Sequence, residues 1–195
     1  VDRLVHRSDY DDQPRVLGQT LKFQSIFQAN VPVANGTYGN LILSRWAVGS
    51  THRISLKRGI RKSRGAQLIH VETPEGVIHL VNTHLGLDER ERHWQVEALL
   101  THQLFQPSQA IPTIIAGDFN DWRNTLAERS LANRGFQQVT SPPSEFRSFP
   151  SWLPVGGLDK IFFRGNVAMN EARVVRTSLA RVASDHLPIV VDFSL

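Results

Sequence analysis

The chain contains no cysteine, and that absence removes a disulfide framework, a thiolate zinc site and a cysteine nucleophile together. It leaves the redox compartment open. No apolar run is long enough to span a bilayer, and the opening "VDRLVHRSDYDDQP" lacks the charged-then-apolar order of a signal peptide. A cytoplasmic location is the expectation these two absences leave. Repeats, low-complexity tracts and linker-like stretches are missing as well, so residues 1–195 read as a single domain.

What is present is the balance of a globular core, 41% hydrophobic and 21% charged residues, in a length that buries a core without covalent staples. Lys and Arg number 22 against 18 Asp and Glu, a net charge of +4, which tips the expected partner towards phosphate or nucleic acid. Asn35-Gly36-Thr37 reads as a glycine-containing turn rather than a glycosylation acceptor.

Eight short segments rich in Ile, Val and Phe read as strands: "LKFQSIF", "NLILS", "HRISL", "AQLIHVET", "GVIHLVNTH", "PTIIAGD", "LDKIFF" and "LPIVVDF". Pro74, Glu75 and Gly76 between the fourth and fifth signal a hairpin. A helix is expected from Asp88 to Phe105, with Trp94, Ala98, Thr101 and Phe105 as its apolar stripe, flanked by Leu99 and Leu100. A second is expected from about Thr125 to Asn133, with Asn124 as N-cap and Gly135 as its stop. The stretch "TSPPSEFRSFPSWLPVGG" is too rich in Pro, Ser and Gly for regular structure and reads as a long loop.

Chemistry-bearing residues gather at strand ends. In "PTIIAGDFND" alternation places Asp118 and Asn120 on one side and Phe119 on the other, in the core. A carboxylate able to take a proton from water beside a carboxamide able to donate to phosphate suits phosphoester chemistry. The same residues equally suit an Asx turn that ends a strand. Asp185 and His186 precede the last strand, where the carboxylate suits a divalent cation and the imidazole a phosphate oxygen, or where both belong to a plain loop. Asn82 and His84 share a face at the end of "GVIHLVNTH", and Asp159 opens "LDKIFF" where it could orient a histidine. His79 reads as structural, and His52, His70, His93 and His102 as packing or surface residues.

Taken in order, "YGNLILSR", "NTHLG" followed by Arg92 and Gln95, "GDFND", "SFP" ahead of "LDKIF", and "SDHLP" resemble the endonuclease/exonuclease/phosphatase superfamily with its DNase I-like fold. The resemblance runs from about Asp2 to Phe193. It implies an α+β, four-layer αββα sandwich of two mixed sheets with outer helices. It further implies a Mg²⁺- or Mn²⁺-dependent hydrolase of a phosphodiester or phosphomonoester, with Asp118 activating water, Asn120 fixing it, Asp185 as metal ligand, and His186 on the phosphate, held by Asp159. His84 would be a second phosphate contact, with Tyr38 and Asn40 nearby. Nucleic acid is the expected substrate. A lipid or inositol phosphate is the alternative, and a non-catalytic anion-binding remnant of the fold is the rival from another class. Members open with a strand, a helix and a strand whose glutamate binds metal just before "VDR". That unit is expected upstream of Val1, and without it Asp185 is the main acidic ligand and cation binding is expected to be poor.

Overall fold

The computed structural model describes residues 1–106 and 111–195. Each of the eight expected segments contributes to a strand, in a chain order of β1 (Asp2–Arg3), α1 (Gln13–Leu21), β2 (Gln24–Val33), β3 (Gly36–Ser44), β4 (Ala47–Ser55), β5 (Gly65–Thr73), β6 (Gly76–His84), α2 (Glu89–Leu100), β7 (Thr113–Asp118), β8 (Gln137–Gln138), β9 (Asp159–Arg164), β10 (Ala168–Val174), α3 (Ser178–Ala183) and β11 (Ile189–Ser194). Six strands form a mixed sheet in the order β4-β5-β6-β7-β9-β8, in which only β6 and β7 run parallel. The layer facing it comes in two antiparallel pieces, β1-β3-β2 and β10-β11. The fold is the expected α+β sandwich.

Alternation along the strands sorts the core into two layers. Leu68, Val81, Ile115 and Phe162 point to one side, where they meet Val96, Leu99 and Leu100 of α2 and Leu126 and Leu131 of the following helical segment. Ile69, Ile78 and Ile114 point to the other, against Ile26 and Ile42 of the smaller sheet. His79 is buried on the helix side beside Phe105, a packing residue as expected. The β5–β6 hairpin turns at Pro74 and Glu75 between the paired Thr73 and Gly76.

Three local expectations are corrected. Residues 13–21 form α1, so "LKFQSIF" does not begin as a strand: Leu21 ends the helix and Lys22 caps it in the left-handed region. The signal for α1 was Asp12, whose carboxylate accepts from Arg15 N–H, followed by Pro14 in the first turn.

The α2 helix stops at Leu100, and its buried residues are Glu91, Arg92, Gln95, Val96, Leu99 and Leu100, while Trp94 and Thr101 are exposed. This buried stripe is rotated because its polar members brace the backbone. Gln95 accepts from Gly86 N–H at 2.8 Å and donates to Leu56 carbonyl at 3.0 Å, and Arg92 donates to Leu87 carbonyl at 2.7 Å.

Asn124 does not cap the helix behind it. It sits at φ 58° and exchanges hydrogen bonds with Gln138 at 2.9 and 3.1 Å. The cap is Asp121, fully buried, which accepts from Leu126 N–H at 2.8 Å and Thr125 Oγ1 at 3.3 Å. That segment continues as a π-helical turn over Ala127–Leu131 and a 3₁₀ turn over Ala132–Arg134, and it ends at the left-handed Gly135 as expected.

Asp121→Ala is therefore expected to destabilise the fold by about 2 kcal/mol, the upper range for a lost cap, because buried Arg92, 3.9 Å away, also loses its acidic neighbour. A urea titration reads this as a lower midpoint at unchanged slope. An unmoved midpoint would remove Asp121 from that role.

Candidate active site

At the C-terminal end of β6 and β7 the registers align His84 with Asp118, and β7 against β9 aligns Asp118 with Asp159. Residues opposed in register project to the same face, so three candidate site side chains stand in one row across three strands. Gly117 permits the close approach. Its φ is +148°, and a Cβ built there would fall 1.8 Å from the Thr83 carbonyl oxygen.

His186 reaches the row from the loop between α3 and β11. Its Nδ1 lies 2.7 Å from Asp159 Oδ2, and its Nε2 lies 3.9 Å from Asp118 Oδ2. Ser148, completely buried in the long loop, donates its hydroxyl to the same Asp159 oxygen. Phe149 packs on the imidazole with ring centroids 4.8 Å apart, and Trp122 meets Phe149 edge-on at 6.1 Å. Asp159 and His186, distant in sequence, are in contact as expected.

On the far side of Asp118, His84 Nε2 lies 3.4 Å from Oδ2 while its Nδ1 lies 3.0 Å from Tyr38 Oη. Burial, helped by Arg64 and Lys62, pushes the His84 pKa down to about 3, so this imidazole is neutral and its contact with Asp118 is not an ion pair. Burial raises the Tyr38 pKa, which keeps its hydroxyl protonated. Tyr38 then donates to Nδ1, and the His84 proton sits on Nε2, facing Asp118.

The two histidines are opposites. Burial works to lower the His186 pKa, yet the Asp159 hydrogen bond and the charges of Asp159, Asp118 and Asp185 carry it above its ordinary value. Burial pushes Asp118 up to about 6, against the Asn120 N–H bond that stabilises its charge. Like-charged Asp159 adds to the rise.

Asp118, Asp159, His84, His186, Tyr38 and Asp185 line a cavity of about 620 Å³. Asn120 and Asn40 do not. Asn120 N–H bonds Asp118 Oδ1 at 2.9 Å, an Asx turn, and at φ 51° its carboxamide leaves the strand alternation and donates to Leu85 carbonyl at 3.0 Å. Asp118 and Asn120 thus do not share a face by strand geometry, because the strand ends at Asp118. Asn40 is buried and donates to Gly65 carbonyl at 3.0 Å. Phe119 points into the core against Phe162, as expected.

Sequence reasoning missed Ser148 and the cations around Tyr38. The Arg7 guanidinium lies 5.3 Å and the Lys62 ammonium 5.4 Å from the Tyr38 ring centroid, and Arg64 is buried with its Nε unpartnered. The signal was the basic run "KRGIRKSRG" between β4 and β5.

The sequence profile of the Endonuclease/Exonuclease/phosphatase family matches residues 5–186. The chain belongs to that family. Phosphoester-cleaving hydrolases give the family its name, and the row of His84, Asp118 and Asp159, together with His186, lies inside the matched region. Among similar proteins, Escherichia coli (strain K12) YbhP is 26% identical over 183 residues, covering 92% of this chain and 72% of its own length. An endonuclease/exonuclease/phosphatase structure from Beutenbergia cavernae superposes with a TM-score of 0.81 at 20% identity, over 95% of this chain. The chain spans 58% of that protein's length. The mannosyl-6-phosphatase Bt3783 of Bacteroides thetaiotaomicron gives a TM-score of 0.76 at 15% identity, over 94% of this chain and 81% of its own. These structural likenesses carry the fold.

Members of such a family invite a divalent cation, and the donor set sets a limit on how one could bind. Among the described residues no three His, Asp or Glu side chains converge as a cage. Asp118 and Asp159 face histidines, whereas Asp185 is exposed at the cavity edge and pairs with no basic side chain among the described residues. One free carboxylate fits a hard cation that keeps most of its waters and takes further oxygens from a bound phosphate.

Asp159→Asn is expected to lower the His186 pKa in an NMR titration of the imidazole, since the neutral amide withdraws the charge that favours the imidazolium. An unchanged His186 titration would break the pairing.

Proposed function

We propose that this chain hydrolyses a phosphoester with Asp118 as the general base and His186, charged and held by Asp159, as the group facing the phosphoryl oxygens. The observation that supports it is the single oxygen Asp118 Oδ2 lying between His84 Nε2 at 3.4 Å and His186 Nε2 at 3.9 Å in an open cavity. A carboxylate whose pKa is raised to about 6 is ionised at neutral pH, yet it is basic enough to take a proton from an attacking water.

His186 presents an Nε2–H to charge developing on the phosphoryl group, while the Asp159 bond at Nδ1 fixes its orientation and its proton. His84, neutral, directs its Nε2–H at Asp118 Oδ2 and steadies the carboxylate from the other side, beside where a phosphate would lie. Asn120 contributes from behind, its backbone N–H fixing Asp118 Oδ1. Mg²⁺ or Mn²⁺ held at Asp185 would act as a Lewis acid on the phosphoryl oxygens. A remnant that only binds anions gains nothing from two imidazoles shifted in opposite directions beside the same carboxylate, and this contrast favours turnover.

For the substrate, two flanks of the cavity differ. Lys62 and Arg64 make one flank cationic, while the Arg7 guanidinium beside them is paired with Asp2 at 2.6 Å; this flank suits any phosphate, nucleic acid included. The other, built by α3 and the long loop, exposes aliphatic side chains and favours a phosphoester with an apolar body, a lipid.

Asp118→Asn keeps the shape and removes the base, so kcat is expected to fall about 10²–10⁴-fold on a soluble diester such as bis-p-nitrophenyl phosphate. In the unsubstituted chain the rate should fall as pH drops through about 6, where Asp118 takes up a proton. A variant of near-normal kcat would end this assignment.

Calorimetric titration with Mg²⁺ is expected to give weak binding that tightens when inorganic phosphate is present, because phosphate oxygens complete the coordination that one carboxylate starts. Tight binding without phosphate would place the cation elsewhere.

A further inference from the structure

The flank of the cavity beyond His186 exposes a group of bulky apolar side chains that neither the core nor the proposed chemistry uses. Leu179 and Val182 are 73% and 82% exposed on α3, and their spacing of three puts them on one face of that helix. Trp152 and Leu153, 71% and 56% exposed, lie on the long loop. The two pieces are tied together: Ser151 Oγ donates to Arg181 carbonyl at 3.0 Å, and Arg181 Nη1 donates to Trp152 carbonyl at 3.4 Å. They are tied to the cavity as well, because Ser151 N–H bonds the Asp185 carbonyl at 2.8 Å, and Ala183 to His186 line the cavity wall. An apolar rim of this kind, fixed rigidly beside a site, is what an interaction surface looks like.

Its charge selects the partner. Arg147, Arg176 and Arg181 are exposed around the same rim, and none of them forms an ion pair among the described residues. Arg176 donates to the Arg147 carbonyl at 3.4 Å, which keeps two of the three together. Unpaired arginines bordering aliphatic side chains and a tryptophan match a bilayer interface, where apolar groups enter the acyl boundary and guanidinium groups meet lipid phosphates. A single-stranded nucleic acid would ask for aromatic stacking faces. Trp152 offers one such face, whereas Leu153, Leu179 and Val182 offer none.

We propose that the rim formed by α3 and the 151–155 loop docks on an anionic lipid bilayer and seats the cavity mouth against the membrane surface. The proposal deepens the lipid phosphoester reading, but it stands on residues outside the row of His84, Asp118 and Asp159 and apart from His186. Docking would present a lipid phosphate to the cavity without lifting the lipid far from its neighbours.

The test is co-sedimentation of the chain with vesicles of phosphatidylcholine, with and without phosphatidylglycerol. Binding to the phosphatidylglycerol vesicles is expected, weaker at high salt and at least about tenfold weaker for the double variant Leu179→Ser/Val182→Ser, since both apolar anchors are lost. Addition of these vesicles should shift tryptophan emission to the blue, and Trp152→Phe should abolish most of that shift while retaining binding. Circular dichroism melts confirm that each variant is folded. Hydrolysis of bis-p-nitrophenyl phosphate by the same Leu179/Val182 variant separates the two readings: lost vesicle binding with retained hydrolysis supports docking by the rim. Failure of the unsubstituted chain to sediment with phosphatidylglycerol vesicles overturns the proposal and leaves the catalytic reading standing. Equal sedimentation of the variant overturns it too, as does tight binding of an oligonucleotide or self-association that the same substitutions abolish.

Discussion

His84, Asp118 and Asp159 stand opposite one another on β6, β7 and β9, and the rest of the site depends on those two registers. Side chains alternate faces along a strand, so a slip of one residue in either pairing would send one member of the row into the helix-side core. The register of β6 against β7 is held by apolar neighbours on both faces, Leu80 with Ile114 towards the smaller sheet and Val81 with Ile115 towards α2. It also requires Gly117. No side chain fits between β7 and the Thr83 carbonyl, so the closeness of His84 to Asp118 follows from a missing Cβ.

The fixed row then lets burial and charge do different things to similar groups. His84 is boxed in by Tyr38 and shares its surroundings with Arg64 and Lys62, so desolvation and like charge act together and the ring stays neutral. His186 is also partly buried, but three carboxylates surround it and one is in direct contact, so desolvation is overcome. Two imidazoles within reach of one carboxylate oxygen are therefore shifted in opposite directions, His84 down and His186 up. In sequence they are two histidines near strand ends. The difference comes from which basic or acidic residues the fold brings beside each.

This marks where sequence reading succeeds and where it stops. Strands were legible because β-branched runs bounded by Gly and Pro have few other uses, and the candidates Asp118, Asp159, Asp185, His84 and His186, which line one cavity, were legible because they sit at the ends of such runs. The α2 stripe was misread because Arg92 and Gln95 look like surface residues until their carbonyl partners at Leu87 and Leu56 are known. Ser148 was not legible, since a serine in a proline-rich loop carries no local sign that an aspartate eleven positions later will accept its hydroxyl. Tyr38 could be placed near the site only by resemblance. Its cationic neighbours come from Arg7 and the β4–β5 loop, which the chain order separates widely.

The pentapeptide "GDFND" shows most directly what spacing alone does not decide. Both aspartates are buried or nearly so and three positions apart; among the described residues Asp118 pairs with no Lys or Arg, and Asp121 has Arg92 at 3.9 Å. Asp121 faces inward and is satisfied by a helix N-terminus, where backbone N–H groups favour an anion. Asp118 ends a strand, spends one oxygen on the Asx turn that releases the chain from the sheet, and leaves the other facing two histidines across an open cavity. The turn reading and the site reading of Asp118 are thus one structure: the bond that ends the strand also fixes the carboxylate whose second oxygen faces the histidines. A residue that only ended the strand would not need to stand in register with His84 and Asp159, and it is that register which turns a strand terminus into a candidate base.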